Sequence, residues 1–296
     1  MKFASVKPDE LAVVKDDAFV LIGDALAREG ALPKGATMID LMTHFDRVKA
    51  VVPKAMSQGK TVKLDPKQLK TPVEKPSKVW AAAGNYQRGS SNLGESKGRG
   101  AAENVKPEHL LEAIFLKPPS SVIGPEQAII IPKNAETIFP ELELGVVIGK
   151  EVHDLTKERA LEAIFGYTII LDVTARGYGS GQNLIGSRNV RKGFNTFCPV
   201  GPWITTKDEI PDPQNLSMRL WVNGELKQSA KTDAMINGVA ELVSFLSQVG
   251  TLYPGDLIST GNPDAPEFQE KLKPGDVLKV DIEGIGSMSL SVESAG

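Results

Sequence analysis

The run Pro140-Glu141-Leu142-Glu143-Leu144-Gly145-Val146-Val147-Ile148-Gly149 constrains the chain most, because two acids one residue apart lead into an apolar, β-branched stretch suited to a strand. On a strand, residues i and i+2 share a face, so the two carboxylates stand roughly 7 Å apart and repel each other unless a cation joins them. Asp172 sits inside a second such run, Tyr167 to Val173, where an ionised carboxylate is costly to bury without a partner. Three carboxylates with no cysteine nearby form an oxygen-only donor set for a hard divalent ion, Mg²⁺ first, with Mn²⁺ and Ca²⁺ also suited. The same spacing also fits a solvent-facing strand edge with a turn or helix cap at the lone Asp172.

Around this run the chain reads as a mixture of helices and strands. Residues 1 to about 60 form a small α/β unit, with a strand-like Ala18 to Ile22 and a helical period from Met38 to Val52. Lysines separated by Pro66, Pro72 and Pro76 suggest a linker over residues 60–78, and the division taken is 1–70 for the N-terminal domain with its linker and 71–296 for the body. Thr156 can cap a helix running to Phe165, and a helical period covers residues 233–247. At the C-terminus Leu278, Val280 and Ile282, then Met288, Leu290 and Val292, alternate with polar residues about a Gly284-Ile285-Gly286 turn, which predicts a hairpin.

Charge and motif content exclude several classes of function. With 34 Lys and Arg against 37 Asp and Glu the net charge of −3 offers no grip on nucleic acid. No apolar run approaches the ~20 residues of a membrane span, and charges interrupt the N-terminus before any signal-peptide core forms. A single cysteine, Cys198, excludes an internal disulfide framework and suits a reducing cytoplasm. Cys198 reads as a packed thiol, His44 and His153 as surface or loop residues, and the glycine-rich Gly177 to Gly181 as a loop and not a phosphate cradle. Walker, GxGxxG, HExxH and GxSxG patterns are all missing.

Val79 to Tyr86, Ile114 to Ser121, Glu141 to Leu144, Gly166-Tyr167-Thr168, Asp172 to Arg176, Lys192 to Pro199, Gly201-Pro202-Trp203, Asn223-Gly224-Glu225 and Leu252 to Gly261, all in register over residues 75–293, carry a close resemblance to the fumarylacetoacetate hydrolase family. It implies an α+β fold, with a mixed β-roll or barrel-like body, a small N-terminal α/β domain and a homodimer. It also implies Glu141, Glu143 and Asp172 as metal ligands, Lys192 as a catalytic cation, and Tyr86, Arg176, Thr196 and Thr260 as substrate contacts.

The implied chemistry is Mg²⁺-dependent hydrolysis or lysis of a C–C bond in a 2-oxo or 1,3-diketo carboxylic acid through a metal-stabilised enolate. Isomerisation, decarboxylation or dehydration on the same site are the alternatives, as is a protein that binds metal and oxo-acid without turnover. Four positions depart from the family pattern: the histidine of its Asn-Tyr-x-x-His is replaced by Gly89, Leu171 stands for an asparagine, Gly177-Tyr178 replace a polar pair, and Asn262 interrupts Thr-Gly-Thr-Pro. Residues 87–108 read as a lid, and Glu95, Glu103, Glu108 and His109 within or beside it are candidates for the missing proton carrier. Glu108 and His109 equally suit the start of a short surface helix.

Overall fold

The computed structural model describes residues 1–87, 106–133, 135, 137–176, 188–263 and 272–296. Residues 88–105 of the expected lid, Glu95 and Glu103 among them, and the loop Gly177 to Gly181 lie outside them.

The N-terminal region is a meander, β1 (Lys2–Val6), β2 (Glu10–Lys15) and β3 (Ala18–Leu21), followed by helices α1 (Gly23–Arg28), α2 (Met38–Thr43) and α3 (Phe45–Gln58) and by β4 (Lys60–Lys63). The helical period over Met38 to Val52 resolves into two helices that break at exposed His44. Thr37 caps the first, its hydroxyl accepting from the Asp40 N–H while Asp40 accepts from the Thr37 N–H. The expected linker begins as a strand: β4 pairs antiparallel with β3, and irregular chain follows only beyond it.

In the body, β5 (Val79–Ala81), helix α4 (Pro107–Leu111), β6 (Phe115–Lys117), β7 (Val122–Ile123), β8 (Ala128–Ile131) and β9 (Thr137–Phe139) lead to β10 (Leu142–Ile148). After it come α5 (Lys157–Ala160), β11 (Ile164–Leu171), β12 (Thr174–Arg176), α6 (Arg188–Arg191) and β13 (Cys198–Thr206). The chain ends with β14 (Ser217–Val222), β15 (Glu225–Lys231), α7 (Val239–Val249), β16 (Leu257–Ser259), β17 (Val277–Ile282) and β18 (Gly286–Ser294). The expected helix to Phe165 stops early: a 3₁₀ turn over Leu161–Ala163 follows α5, and apolar Ile164 and Phe165 start the buried strand β11 instead. The helix expected over residues 233–247 starts at Val239, after a 3₁₀ turn Thr232–Ala234, and the C-terminal hairpin forms as expected.

One sheet runs β4-β3-β2-β1-β13-β11-β10-β16-β5-β6, with β7 beside β13, and a second runs β15-β14-β17-β18-β8. Among the described residues the first sheet is open at β4 and β6, so the roll is not a closed barrel. The N-terminal meander joins the body's sheet where β1 pairs with β13, Lys2 opposite Thr205 and Phe3 opposite Ile204. Its apolar face packs with Val147, Phe165, Ile170, Val200 and Leu257 of the body. No helix among the described residues is long and apolar enough to cross a membrane.

Strand β10 is buried at every residue and flanked on both sides, by β11 and β16, which explains its unbroken apolar, β-branched text. Gly145 is required by that packing, since a Cβ there would stand 2.7 Å from Ile170 Cγ1.

Candidate active site

Strands β10 and β11 are antiparallel with Leu142 opposite Leu171 and Glu143 opposite Ile170. Register alone therefore brings the start of one strand beside the end of the other, and the Asp172 N–H donates to the Glu141 carbonyl at 2.9 Å. Glu141, Glu143 and Asp172 converge there, each offering a carboxylate oxygen within 4.8 Å of the others. Glu143 and Asp172 are buried and Glu141 is partly exposed, so the open side of the cluster lies at Glu141.

Two lysines hold the cluster in this state. Lys117 at the end of β6 is fully buried and donates to Asp172 at 2.6 Å and to the Lys192 carbonyl at 2.5 Å. Lys192, just beyond α6, pairs with Glu141 at 2.7 Å and with Asp172. Burial works against both charges, yet the two lysines hold Asp172 below its ordinary value, and Asp172 and Glu141 in turn raise Lys192.

Glu143 has no such partner. It accepts from Ser259 Oγ at 2.6 Å and from the Gly261 N–H at 2.7 Å. Burial, then the Asp172 charge, pushes it up to about 8 despite Lys192 and these donors. A buried carboxylate that holds its proton at neutral pH for want of positive charge is one that a divalent cation would ionise. The donor chemistry, three convergent carboxylates and no softer atom, fits a hard divalent ion. Gly261, at φ +99°, presents its N–H in a backbone conformation that L side chains rarely adopt, and a Cβ there would meet Asn85 Cβ at 2.9 Å.

The cluster opens on a cavity of about 340 Å³ whose walls carry Glu141, Glu143, Lys192, Arg176, Arg188 and Arg191, with apolar Leu110, Ala113 and Phe115 and polar Asn262. Larger hollows lie near the N-terminal helices; that of about 510 Å³ holds Lys70 already paired with Asp9 and Glu74, and among the described residues neither larger hollow is lined by the acid cluster. Of the substrate contacts expected, Arg176 stands on the cavity wall, over the Phe139 ring at 5.0 Å. Tyr86 is wholly buried, its hydroxyl 3.6 Å from Met218 Sδ, and burial raises its pKa well above 10. Thr260 is buried and donates to the Leu144 carbonyl at 2.9 Å, while Thr196, at φ 70°, accepts from the Ile130 N–H. These three hold the framework of the site and do not line the cavity.

Glu108 and His109 are exposed on α4, next to Leu110, which does line it. Cys198 is buried, and burial pushes its thiol up to about 12, the packed thiol expected. Lys117, Ser259, Arg188 and Arg191 escape the sequence reading. Only Lys117 carries a signal there: a cation ending the apolar Ile114-Phe115-Leu116 run asks for a buried acid.

Residues 78–293 match the family model described as fumarylacetoacetate (FAA) hydrolase C-terminal, and the chain belongs to this family. Over 296 residues it is 32% identical to maleylpyruvate hydrolase of Aquipseudomonas alcaligenes, an alignment covering 99% of this chain and 100% of that one. The crystal structure of maleylpyruvate hydrolase from Sphingobium sp. SYK-6 with manganese(II) and pyruvate superposes with a TM-score of 0.81 at 30% identity, covering all of both chains. That of 2-hydroxyhepta-2,4-diene-1,7-dioate isomerase from Mycobacterium marinum gives 0.70 at 31% identity, covering 100% of this chain and 99% of that one. The protein is thus a hydrolase of this family, with the acidic cluster of a divalent-metal centre.

Proposed function

We propose that the protein is a Mg²⁺-dependent hydrolase that cleaves a C–C bond in a 1,3-diketo acid of the acylpyruvate type, releasing a carboxylic acid and a three-carbon 2-oxo acid. The observation that carries the reading is the convergence of Glu141, Glu143 and Asp172 beside a cavity that Glu141 and Glu143 line and whose remaining charges are cationic. It is supported by the full-length similarity to maleylpyruvate hydrolases, one of them described with pyruvate and a divalent ion.

Mg²⁺ held by the three acids would supply Lewis acidity toward the 2-oxo and carboxylate oxygens of the substrate. In the balanced reaction water adds to the carbonyl farther from the carboxylate. The bond between that carbon and its neighbour toward the 2-oxo end breaks, and its electron pair stays with the oxo-acid fragment, which then takes up a proton. Lys192, fixed between Glu141 and Asp172, is the residue that donates to the oxygen on which negative charge develops. Lys117 is kept from that task by Asp172 and the Lys192 carbonyl, and acts by holding both in place. Arg176 is assigned to substrate binding, and Glu108 or His109 to carrying the proton.

The test is steady-state hydrolysis of maleylpyruvate and of simple acylpyruvates with Mg²⁺ added or chelated away. Two product fragments formed only with the ion support the reading, and turnover without any divalent ion overturns it. An isomerase reading draws on the similar Mycobacterium marinum isomerase and is separated by product analysis, since it yields one compound of unchanged mass. Membership of the family supports a homodimer, which sedimentation at the monomer mass of 31.8 kDa would contradict, and the single cysteine supports a cytoplasmic setting.

A further inference from the structure

Helix α4 contributes Leu110 to the cavity wall, yet little in its own sequence holds it there. It has five residues, too few for a helix to persist in water by itself, and Lys106 before it supplies no side-chain cap. Its place must come from contacts with the rest of the fold. Leu110 is buried, and a Cβ on Gly84, another lining residue, would stand 3.9 Å from its Cδ2. Just past the end of the helix the Ala113 carbonyl accepts from Arg188 Nη1, and at its head the Pro107 carbonyl accepts from Asn237 Nδ2 at 3.0 Å.

Asn237 is fixed from behind. It is buried, two residues ahead of α7; its N–H donates to Asn85 Oδ1 at 2.9 Å and its carbonyl accepts from Asn85 Nδ2 at 2.8 Å. The Asn85 carbonyl accepts in turn from the Ile236 N–H at 2.8 Å. Asn85 Nδ2 also donates to the Thr260 carbonyl at 2.8 Å, and the residue after Thr260 is Gly261, whose N–H donates to Glu143. A continuous buried path therefore leads from the acid cluster through Gly261, Thr260, Asn85 and Asn237 to the head of α4. Asn85 is met by the main chain of Asn237 only, so among the described residues the Asn237 side chain makes one hydrogen bond, the one to α4.

We infer that Asn237 is a positioning residue that sets the α4 wall against the acid cluster, and that the carbon chain of the substrate beyond its 2-oxo acid group rests on Leu110 of that wall. The inference rests on the oxo-acid reading of the same cavity and adds the element that grades such acids by their chain. Asn237 touches neither ion nor substrate in this assignment.

The experiment titrates oxalate, pyruvate and 2-oxohexanoate calorimetrically into the Mg²⁺-loaded protein. 2-Oxohexanoate is pyruvate extended by three methylenes, and their burial against Leu110 should make it bind at least about fivefold more tightly. In Asn237→Leu, which keeps the volume and loses the donor, this ratio should fall toward one while the Mg²⁺ and oxalate affinities stay within about twofold of the parent. Asn237→Gln restores a donor and should recover part of the ratio. A merely structural role would weaken all the ligands together and leave the ratio unmoved, and that result overturns the inference, as does a ratio near one in the unaltered protein. Should Asn237→Leu not fold, Asn237→Ala is read by the same ratio.

Hydrogen exchange tests the hold on α4 without any ligand. The N–H groups of His109, Ala113 and Ile114 donate to the carbonyls of Lys106, Leu110 and Leu111, so in the parent they should exchange at least about tenfold more slowly than an unstructured chain. Exchange at the unstructured rate overturns the inference whether or not a variant folds. If oxalate fails to bind, the oxo-acid reading falls by itself, and Asn237 is then judged by these amides: faster exchange in the variant, with the C-terminal hairpin unchanged, upholds its hold on α4, and equal exchange overturns it.

Discussion

The two sides of the cavity solve opposite problems. At the acid cluster the buried charges have internal counterparts, Asp172 between two lysines and Lys192 between two acids, and only Glu141 is partly exposed. At the arginine wall the charges are half-buried and face the cavity, and among the described residues none of them forms an ion pair with a carboxylate. Groups of the first kind are held by one another, so removing one strands the rest. Groups of the second kind have no acid to strand, Arg188 resting on the Ala113 carbonyl and the Phe115 ring and Arg176 on the Phe139 ring, so removing one relieves repulsion and costs only what would have bound there. The difference separates stability from affinity within one cavity of about 340 Å³.

The largest effect is expected from Asp172→Asn. The change leaves Lys117, fully buried, with the Lys192 carbonyl but no anion, and removing one member of a buried charge pair costs about 3–5 kcal/mol. Urea denaturation of the metal-free protein should show a loss of this size, together with loss of Mg²⁺ binding in calorimetry. A variant as stable as the parent would mean that the cluster is not held by its mutual charges.

Part of this was legible before any coordinates. Glu141, Glu143 and Asp172 announce themselves because an acid inside an apolar, β-branched run conflicts with its surroundings, and the C-terminal hairpin because alternation continues on both sides of a glycine turn. The partners were harder to see. Ser259 and Gly261 reach Glu143 from β16 and the turn after it, 116 and 118 residues away, and a serine or glycine at the end of a strand carries no mark of what it will touch. Arg188 and Arg191 look in sequence like any solvated basic stretch, and only the fold shows them on a cavity wall without an ion-paired acid among the described residues. The helical boundaries failed for a different reason. Ile164 and Phe165 continue the helical period after Ala160, and only pairing with β10 and β13 draws them into a strand.

Glu143→Gln sharpens the comparison from within the acid cluster. Glutamine resembles the protonated carboxyl that burial favours here, and its oxygen can still accept from Ser259 and Gly261. Near neutral pH the metal-free variant should therefore unfold within about 1 kcal/mol of the parent, while its Mg²⁺ affinity falls at least about a hundredfold as a charged ligand is lost. The parent's affinity should depend on pH with a definite sign. Below about 8 the ion must displace a proton from Glu143, so affinity rises with pH, by up to about tenfold per unit, and levels off above that value. The glutamine variant should lack this dependence. An equal slope in both proteins would place the proton elsewhere.

Lys192→Met should separate holding the ion from using it. Lys192 occupies oxygens of Glu141 and Asp172 that a divalent ion would share, so its removal should strengthen Mg²⁺ binding several-fold. Hydrolysis should still fall by about 10²–10³ in kcat, the usual cost of one donor to a developing oxyanion. Weaker Mg²⁺ binding would show that the ammonium supports the ion instead of competing with it.

Arg191→Gln should have the smallest effect on the folded protein and tests the other half of the comparison. Its Nε has no partner among the described residues, it forms no ion pair there, and the charge beside it is that of Arg188, which Arg191, after burial, pushes below its ordinary value. Losing it removes a repulsion and no described salt bridge, so stability should change by no more than about 0.5 kcal/mol, with any change on the favourable side. Added salt screens the same repulsion, so the difference between variant and parent should shrink from 10 mM to 500 mM NaCl. A loss of several kcal/mol, as large as that of Asp172→Asn, would mean that the arginine wall is a closed charge network like the acid cluster, and the contrast between the two sides would fail.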